Sequence, residues 1–266
     1  MAVTPNEVIE TGIRCWEAGA SIIHCHARDA EQRPSLDYDF FARVVEGLRK
    51  HTDLIVQLST GWRRGDLDCE GRIRHIDLAP DMMSLNIGSV NFPRGPYVNT
   101  PEDAEFWAKR MQERGVKPEI ECFDMSHVEF GVRLWQRGLI DDPPFFNFVL
   151  GIKTALGFSA RTLVTLVDML PPQARWNVIG IGAEQLPATT MGILMGGNSR
   201  VGLEDNIYYS YKVLATNEQL VARVKRLADE LQREVASPGE ARKLLRIGEP
   251  TRTDRAQAVA FKESDH

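Results

Sequence analysis

Short apolar runs alternate along this chain with longer segments in which apolar residues recur at helical spacing. The runs have the length of β-strands and cover residues 21–26, 53–59, 82–87, 118–123, 145–150, 175–181 and 199–203. The amphipathic segments predict helices over 4–18, 38–49, 69–78, 101–115, 127–137, 160–170, 186–195 and 216–233, with a short last one from 237. Strands that alternate with helices at a period of roughly 30 residues predict a parallel sheet with covered faces.

Helix starts support this division of the chain. Thr4 and Glu7 form a capping-box pattern with Pro5 between them, and Thr100, Thr216 and Ser237 begin later helices in the same way. An N-cap fixes where a helix begins, so these positions set the register of the alternating pattern.

The repeat predicts an α/β fold, a (β/α)8 TIM barrel that lacks the usual first strand at the N-terminus. The chain begins at the helix that should precede strand two, and seven strands are seen where a barrel has eight. The alternative is an open doubly wound sheet, which usually carries a glycine-rich phosphate loop after its first strand; none follows residues 21–26. No linker or low-complexity tract divides the chain, so we predict one domain over residues 1–266 with C-terminal helices.

The composition of the chain limits its possible partners and its cellular compartment. The chain has 266 residues, of which 43% are hydrophobic and 26% charged, and its formal net charge of -5 gives no reason to expect nucleic acid or an anionic membrane as a partner. No apolar run reaches the roughly 18 residues that a membrane helix needs, and no signal segment precedes Thr4. The four cysteines lack both Cys-x-x-Cys spacing and the density of a secreted scaffold, so we expect a cytoplasmic protein.

His24 and His26 stand at the end of the first predicted strand, separated by Cys25. Residues two apart on a strand point to the same face, so the imidazoles are neighbours and Cys25 points into the helical layer. Imidazole nitrogens are common ligands of zinc and similar ions, and the pair offers half of a metal site. The alternative is two hydrogen-bonded histidines at a strand end. His75 and His127 fall in polar helical segments and are expected at the surface.

Polar residues concentrate towards the carboxyl ends of five predicted strands, in pairs of matching parity. The pairs are His24 and His26, Gln57 and Ser59, Ser84 and Asn86, Glu119 and Glu121, and Arg200 and Glu204. Barrels hold their active sites at this face. Because burial of an unpaired polar group costs about 1–3 kcal/mol, we expect these side chains to share a functional site inside the barrel.

The last strand offers the remaining candidates. Glu204 is the best candidate for a carboxylate that completes a His-His-Glu metal set, with a surface loop position as the alternative. Asp205 is either a general base or a cap for the next turn. Three interpretations are open for Arg200: it binds a substrate carboxylate, it holds Asp205, or it is a solvated arginine at a strand end. Glu119 and Glu121 share a face and repel each other unless a cation or a proton separates them; a structural ion pair is the alternative.

Five segments in this order carry a resemblance. They are His24-Cys25-His26-Ala27-Arg28-Asp29, Ser59-Thr60-Gly61, Ser84-Leu85-Asn86-Ile87-Gly88-Ser89, Pro118-Glu119-Ile120-Glu121-Cys122-Phe123 and Arg200-Val201-Gly202-Leu203-Glu204-Asp205-Asn206. Together they resemble the β-keto acid cleavage enzymes over essentially the whole chain. The combination of His-x-His with Arg-Val-Gly-Leu-Glu-Asp-Asn is specific, although neither motif alone is.

The resemblance implies a (β/α)8 barrel assembled as a homotetramer, with Zn²⁺ held by His24, His26 and Glu204. It implies a transferase that takes a β-keto acid and acetyl-CoA and returns acetoacetate and the CoA ester of the remaining acyl group. By position, Asp205 is the base that removes a C2 proton and Arg200 orients it. The other residues that the resemblance assigns to the substrate pocket are Ser59, Thr60, Ser84, Asn86 and, as a catalytic residue, Glu121.

Two features depart from the family pattern. Members carry a further strand upstream of the first helix. Either the start of this sequence is placed too late, or the barrel tolerates a gap beside the His24 strand that a neighbouring element or subunit fills. Gly182-Ala183-Glu184 stands where relatives commonly place an arginine after the glycine. Two other function classes stay open: a metal-dependent lyase or aldolase that uses no CoA, and a non-catalytic metal- or metabolite-binding relative.

Overall fold

A computed structural model describes residues 2–62, 67–93 and 95–248. Its seven sheet strands are β1 (Ile22–Cys25), β2 (Ile55–Leu58), β3 (Met82–Asn86), β4 (Lys117–Cys122), β5 (Phe145–Leu150), β6 (Arg175–Gly180) and β7 (Asn198–Ser199). The helices are α1 (Pro5–Glu17), α2 (Tyr38–His51), α3 (Pro101–Glu113), α4 (Met125–Gln136), α5 (Ala160–Asp168), α6 (Gln185–Leu194), α7 (Asn217–Glu230) and α8 (Pro238–Leu245). Residues 249–266 of the predicted domain lie outside the described part of the chain.

The alternating pattern predicted from the sequence is confirmed, and its caps are too. Side chains of Thr4, Thr100, Thr216 and Ser237 cap α1, α3, α7 and α8 in capping boxes. Two boundaries differ most: the predicted helix over 69–78 is a 3₁₀ helix at Arg74–Leu78, and β7 ends at Ser199 rather than 203. β7 is short because it is an edge strand. Its last ladder bond is donated by the Arg200 amide to the carbonyl of Val178, and the chain then turns, with the amides of Asp205 and Asn206 donating to the carbonyl of Gly202.

All seven strands are parallel and follow chain order across the sheet, from β1 at one edge to β7 at the other. A flat sheet of this size would separate its edges by about 29 Å, six strand spacings. Instead the Nε2 atom of His26, just after β1, lies 2.9 Å from Oε1 of Glu204, just after β7. The sheet therefore curls into a half-barrel that brings its two edge strands towards each other.

Alternate residues of each strand face the interior of the half-barrel. The outward residues, such as Cys25, Leu58 and Phe148, pack with the helices in the main core, which confirms the prediction for Cys25. The inward residues form layers. The lowest is apolar, where Ile55 and Met82 pack with α8. The layers above it are polar on most strands, and these carry the candidate site.

The described strands leave a gap between β1 and β7. No backbone pairing joins these two strands, although the helices behind them, α1 and α7, are in contact through the ion pair of Arg14 with Glu218 at 3.3 Å. A cavity of about 1560 Å³ runs from the candidate site into this gap. There it is lined by Val8, Thr11 and Cys15 of α1 and by Val221, Val224 and Ala228 of α7. The expectation of seven strands holds, and the expected gap lies beside the His24 strand.

Helix α8 closes the amino-terminal end of the half-barrel. The guanidinium of Arg242 donates to Asp81 at 2.9 Å, and the other oxygen of Asp81 accepts from the amide of Val56 at 2.9 Å. Both carboxylate oxygens of Asp81 are therefore engaged in a buried position. At the opposite end, the paired strands of residues 90–92 and 95–97, and the hairpin of residues 208–214, extend the loops that surround the site. Within the described residues, no helix combines the length and the apolar character that a membrane span requires.

Candidate active site

Three potential metal ligands meet at the carboxyl end of the half-barrel. His24 and His26 come from the end of β1, and Glu204 comes from the turn after β7. The Nε2 atoms of the two histidines lie 3.0 Å apart, and one ligand atom from each of the three residues falls within 4.8 Å of the others. Two imidazoles and a carboxylate are a donor set that zinc commonly takes. The structure therefore brings together the ligand set that the resemblance implied.

Gln57 of β2 fixes the orientation of His24. Its Oε1 lies 3.0 Å from Nδ1 of His24, while its Nε2 donates to Glu119 at 2.9 Å. Because the amide nitrogen already donates to Glu119, Nδ1 of His24 carries the proton and Nε2 presents its lone pair to the trio. Burial, together with the charges of Arg200 and His26, lowers the pKa of His24 and favours the neutral imidazole that binds a metal.

Arg200 connects the carboxylates of this site. Its guanidinium donates to Glu119 at 2.9 Å, to Glu121 at 3.2 Å and to Glu204 at 3.3 Å. Burial alone would lower its pKa, but the surrounding carboxylates raise it above the ordinary value. The ion pair that the sequence left as an alternative for Glu119 and Glu121 is therefore present, and it is also part of the candidate site.

The site holds more negative charge than this arginine can balance. Burial and the neighbouring carboxylates raise the pKa of Glu121 to about 7, although Arg200 opposes the shift. Burial raises the pKa of Asp205 well above its ordinary value, and the negative charge of Glu204 is the second cause of this shift. Burial also opposes ionisation of Glu204, but His26 and Arg200 outweigh it and lower the pKa of that carboxyl, which faces the open cavity. A further cation fits this excess of negative charge.

The expected substrate-pocket residues occupy two positions. Ser59 and Asn86 line the cavity. Thr60 and Ser84 are fully buried behind them: the Thr60 amide donates to Ser84 Oγ at 3.0 Å, and Asn86 donates to Thr60 Oγ1 at 2.8 Å. This network holds the ends of β2 and β3 together, so Thr60 and Ser84 position the lining residues from behind.

Asn177 of β6 also contributes to the site, although it is not among the residues predicted from the sequence. Its Nδ2 donates to Oε1 of Glu119 at 2.7 Å, which leaves Glu119 bonded to Asn177, Gln57 and Arg200. The available signal was parity, since Asn177 is two residues before the inward Ile179. A lone asparagine in an apolar strand gave no reason to choose it.

The surface positions expected for His75 and His127 are wrong, because both side chains are buried. His75 stacks on Phe41 with ring centroids 4.6 Å apart, and its Nε2 donates to the carbonyl of Ser59 at 2.9 Å. Burial lowers its pKa to about 4. His127 accepts from the amide of Phe123 at 3.2 Å. Each histidine holds in place a loop that carries cavity residues. The spacing of polar residues along a helix does not reveal such a role.

Comparison with known proteins gives a family match for this chain. The family model described as beta-keto acid cleavage enzyme matches residues 1–247. The chain belongs to this family. It is 40% identical over 247 residues to the 3-keto-5-aminohexanoate cleavage enzyme of Fusobacterium nucleatum subsp. nucleatum, covering 92% of this chain and 90% of the relative.

Two further comparisons agree with this membership. The 3-oxoadipate:acetyl-CoA acetyltransferase of Cupriavidus necator is 41% identical over 250 residues, covering 91% of this chain and 87% of that protein. Among solved structures, the apo structure of ObcA superposes with a TM-score of 0.81 at 21% identity, over 92% of this chain and 65% of that longer chain. The ObcA likeness supports the α/β fold. The sequence-based identification of the β-keto acid cleavage enzyme family is thus confirmed.

Proposed function

We propose that this protein exchanges acyl groups between a β-keto acid and acetyl-CoA at a zinc ion held by His24, His26 and Glu204. The observation that carries the proposal is the convergence of three ligand atoms within 4.8 Å, beside a carboxyl group, Asp205, with a raised pKa. Membership of the family, and the name of the 41% identical acetyl-CoA acetyltransferase, support the substrate classes. The products are acetoacetate and the CoA ester of the remaining acyl group.

The residues present fit zinc. Two neutral imidazoles and one carboxylate supply three ligands, which leaves coordination positions for a substrate. Gln57 orients His24, as partners behind a metal ligand do. A bound zinc ion supplies a Lewis acid that stabilises negative charge on the substrate's oxygens.

The proton-transfer roles fall to this chain's own carboxyl groups. In its ionised form, Asp205 removes a proton from C2 of the β-keto acid, and a raised pKa suits a base. The C2 carbanion attacks the thioester carbonyl of acetyl-CoA, and the CoA thiolate leaves. The thiolate then attacks the original ketone, the old carbon–carbon bond breaks, and C2 takes back a proton. Arg200 holds Glu119, Glu121 and Glu204 in place around this reaction.

We also propose that a neighbouring element or subunit supplies an eighth parallel strand, which closes the barrel between β1 and β7. Ile22 and Ile23 of β1 are only half-buried, whereas every residue of β2 is buried. The apolar faces of α1 and α7 border the gap. A strand in this position would pair with both edges and bury both helix faces. Hydrogen exchange of the Ile22 and His24 amides, which point away from β2, tests this: protection equal to that of β2 supports closure, and fast exchange contradicts it.

A homotetramer in the cytoplasm is our proposal for the protein's state. All four cysteines are free thiols, which suits a reducing compartment. The hairpin of residues 208–214 exposes Tyr211, Val213 and Leu214, an apolar patch of the kind that interfaces cover. Light scattering of the native protein and of Leu214→Asp measures the mass; a tetramer that the substitution dissociates supports the proposal, and a native monomer overturns it.

Acetyl-CoA dependence separates the proposed exchange from the other two function classes. Purified, zinc-loaded protein is incubated with a panel of β-keto acids, with and without acetyl-CoA, and acetoacetate and acyl-CoA are measured. Formation of both products only with acetyl-CoA supports the exchange. Cleavage without acetyl-CoA would indicate a lyase or aldolase, and retained stoichiometric zinc without any turnover would indicate a binding protein.

A further inference from the structure

An apolar cluster lies at the same end of the half-barrel as the metal trio, on the opposite side of the cavity. Its members follow or end β4, β5 and β6, or belong to the paired strands of residues 90–92 and 95–97. They are Phe123, Val149, Ile152, Ile179, Tyr97 and Phe92. All six also line the cavity that contains His24, His26 and Glu204. The cavity mouth is therefore divided into a polar side on β1 and β7 and an apolar side on β4 to β6.

These six residues together form an apolar wall, and its aromatic members are in contact with one another. The Phe92 ring centroid lies 5.4 Å from that of Tyr97 and 5.6 Å from that of Phe123. Gly61 joins this wall to the metal site: a Cβ built there would lie 3.3 Å from the Tyr97 hydroxyl and 3.8 Å from Cε1 of His26. A group bound at the trio therefore needs only a few bonds to reach the apolar wall.

Few charged side chains lie near this wall among the described residues. Glu121 of β4 precedes Phe123 by two residues, and the guanidinium of Arg72 lies 5.8 Å from the ring centroid of Tyr97. Lys153 and Glu184 stand at its rim, and Lys153 is exposed. The methylenes of Glu184 lie over Gly151, 3.2 Å from where a Cβ would stand there. Val149, Ile152 and Ile179 have exposures of 5%, 8% and 1%, so this part of the wall is built to meet apolar atoms.

We propose that this wall holds the acyl chain of the β-keto acid and that this chain ends in an apolar alkyl group. The inference rests on the proposed function. The carboxylate and ketone of the substrate stay at the trio, and the remaining chain extends towards β4 to β6. The acyl-CoA product then carries an alkyl chain, unlike the charged chain of the 3-oxoadipate in the name of the Cupriavidus necator relative.

The physical reason is the cost of an unpaired charge. Each methylene buried against the wall raises kcat/KM by about fourfold, from ~0.8 kcal/mol. A terminal carboxylate or ammonium placed against Val149 and Ile179 loses hydration, and neither of these two side chains offers it a partner. Two acids of equal length that differ only at the end of the chain should therefore differ strongly.

The test uses 3-oxohexanoate and 3-oxoadipate, which have six carbons each and end in a methyl and a carboxylate. We expect kcat/KM with acetyl-CoA to be at least about 100-fold higher for 3-oxohexanoate. Equal values, or preference for 3-oxoadipate, overturn the inference. Calorimetric binding of each acid to zinc-loaded protein without acetyl-CoA measures the same preference independently of turnover. Tight binding of 3-oxohexanoate without any acyl exchange would contradict the proposed function but would still support the inference about the acyl chain.

Two variants locate the preference on the wall. Ile152→Lys places a cation in the loop after β5, and the ratio of kcat/KM values should shift by at least about 30-fold towards 3-oxoadipate. Val164→Lys makes the same change at an exposed position of α5 and should leave the ratio unchanged. Ile152→Ala, a milder change, should lower kcat/KM for 3-oxohexanoate by about 10-fold. A change in the KM for acetyl-CoA alone, with acid preference unchanged, would assign the wall to CoA and overturn the inference.

Discussion

Nε2 of His26 lies 2.9 Å from Oε1 of Glu204, although the two residues follow the opposite edge strands of the sheet. The contact exists because the sheet curls, and it places a carboxylate from the last strand against two imidazoles from the first. Arg200 holds Glu204 from the other side at 3.3 Å. This contact is therefore both the meeting point of the two edge strands and the centre of the proposed metal site.

Replacement of Glu204 by glutamine should remove the metal while keeping the fold. The amide has the shape of the carboxylate but no charge, and one of three proposed ligands is weakened. We expect zinc affinity to fall by more than about 100-fold, with turnover lost in proportion. Zinc content is measured by inductively coupled plasma mass spectrometry after dialysis. Glu129→Gln on the exposed face of α4 is the control, and a Glu204→Gln protein that retains stoichiometric zinc would refute the ligand assignment.

Asp205→Asn should separate chemistry from metal binding. The amide cannot take a proton from C2, so kcat should fall by at least about 10³-fold, as expected for loss of a general base. Zinc content should equal that of the unmodified protein. If the substitution strips the metal, Asp205 is a ligand and the assigned roles are incorrect.

Gln57→Leu tests whether orientation of His24 matters for metal affinity. Leucine is similar in size but accepts no hydrogen bond, so His24 loses the partner of its Nδ1 proton. Zinc affinity should fall by about 10- to 100-fold. Asn147→Leu is a matched control, because Asn147 also faces the interior and its amide atoms have no hydrogen-bond partner among the described residues. Equal zinc affinity in the two variants would argue against the orienting role.

Lys117 should make stability depend on pH in the alkaline range. Burial lowers the pKa of its ammonium group from 10.5 to about 8, and its Nζ donates to the carbonyl of Asp141 at 2.9 Å. Below pH 8 both folded and unfolded chains hold the proton, and the folded state bears the full cost of the buried cation. Between pH 8 and 10.5 the folded chain releases its proton first, so the free energy of unfolding gains up to about 3 kcal/mol.

Lys117→Met provides the comparison for this pH effect. Its free energy of unfolding lacks this contribution, so the stability of the unmodified protein relative to the variant should rise from pH 8 to 10.5. Urea unfolding at several pH values measures the difference. A difference that stays constant across this range would show that the lysine keeps its proton in the folded state.

Local patterns in the sequence determined much of this architecture. Capping residues such as Thr4 and Thr216 fix helix starts, and period-two alternation fixes which side chains face inwards, because both depend on neighbours a few residues away. The inward orientation of His24, Gln57 and Glu119 followed from parity alone. Glu204 was a candidate partner for the histidines from its place at the end of the last strand, and the resemblance assigned it that role, but no local rule brings the two edge strands together.

Other features of the site depend on contacts between distant parts of the chain. Burial of His75 and His127 depends on which loops fold over them, and Asn177 matters only because curvature of the sheet brings β6 across from Glu119. The apolar wall gathers residues from three strands and from the paired strands of residues 90–92 and 95–97, each ordinary in its own segment. The elements, their order and their inward faces could be predicted from local sequence, because hydrogen bonding and amphipathicity act between residues that are close along the chain. The curl of the sheet determines which of these inward faces meet, and therefore which charged side chains lie close together.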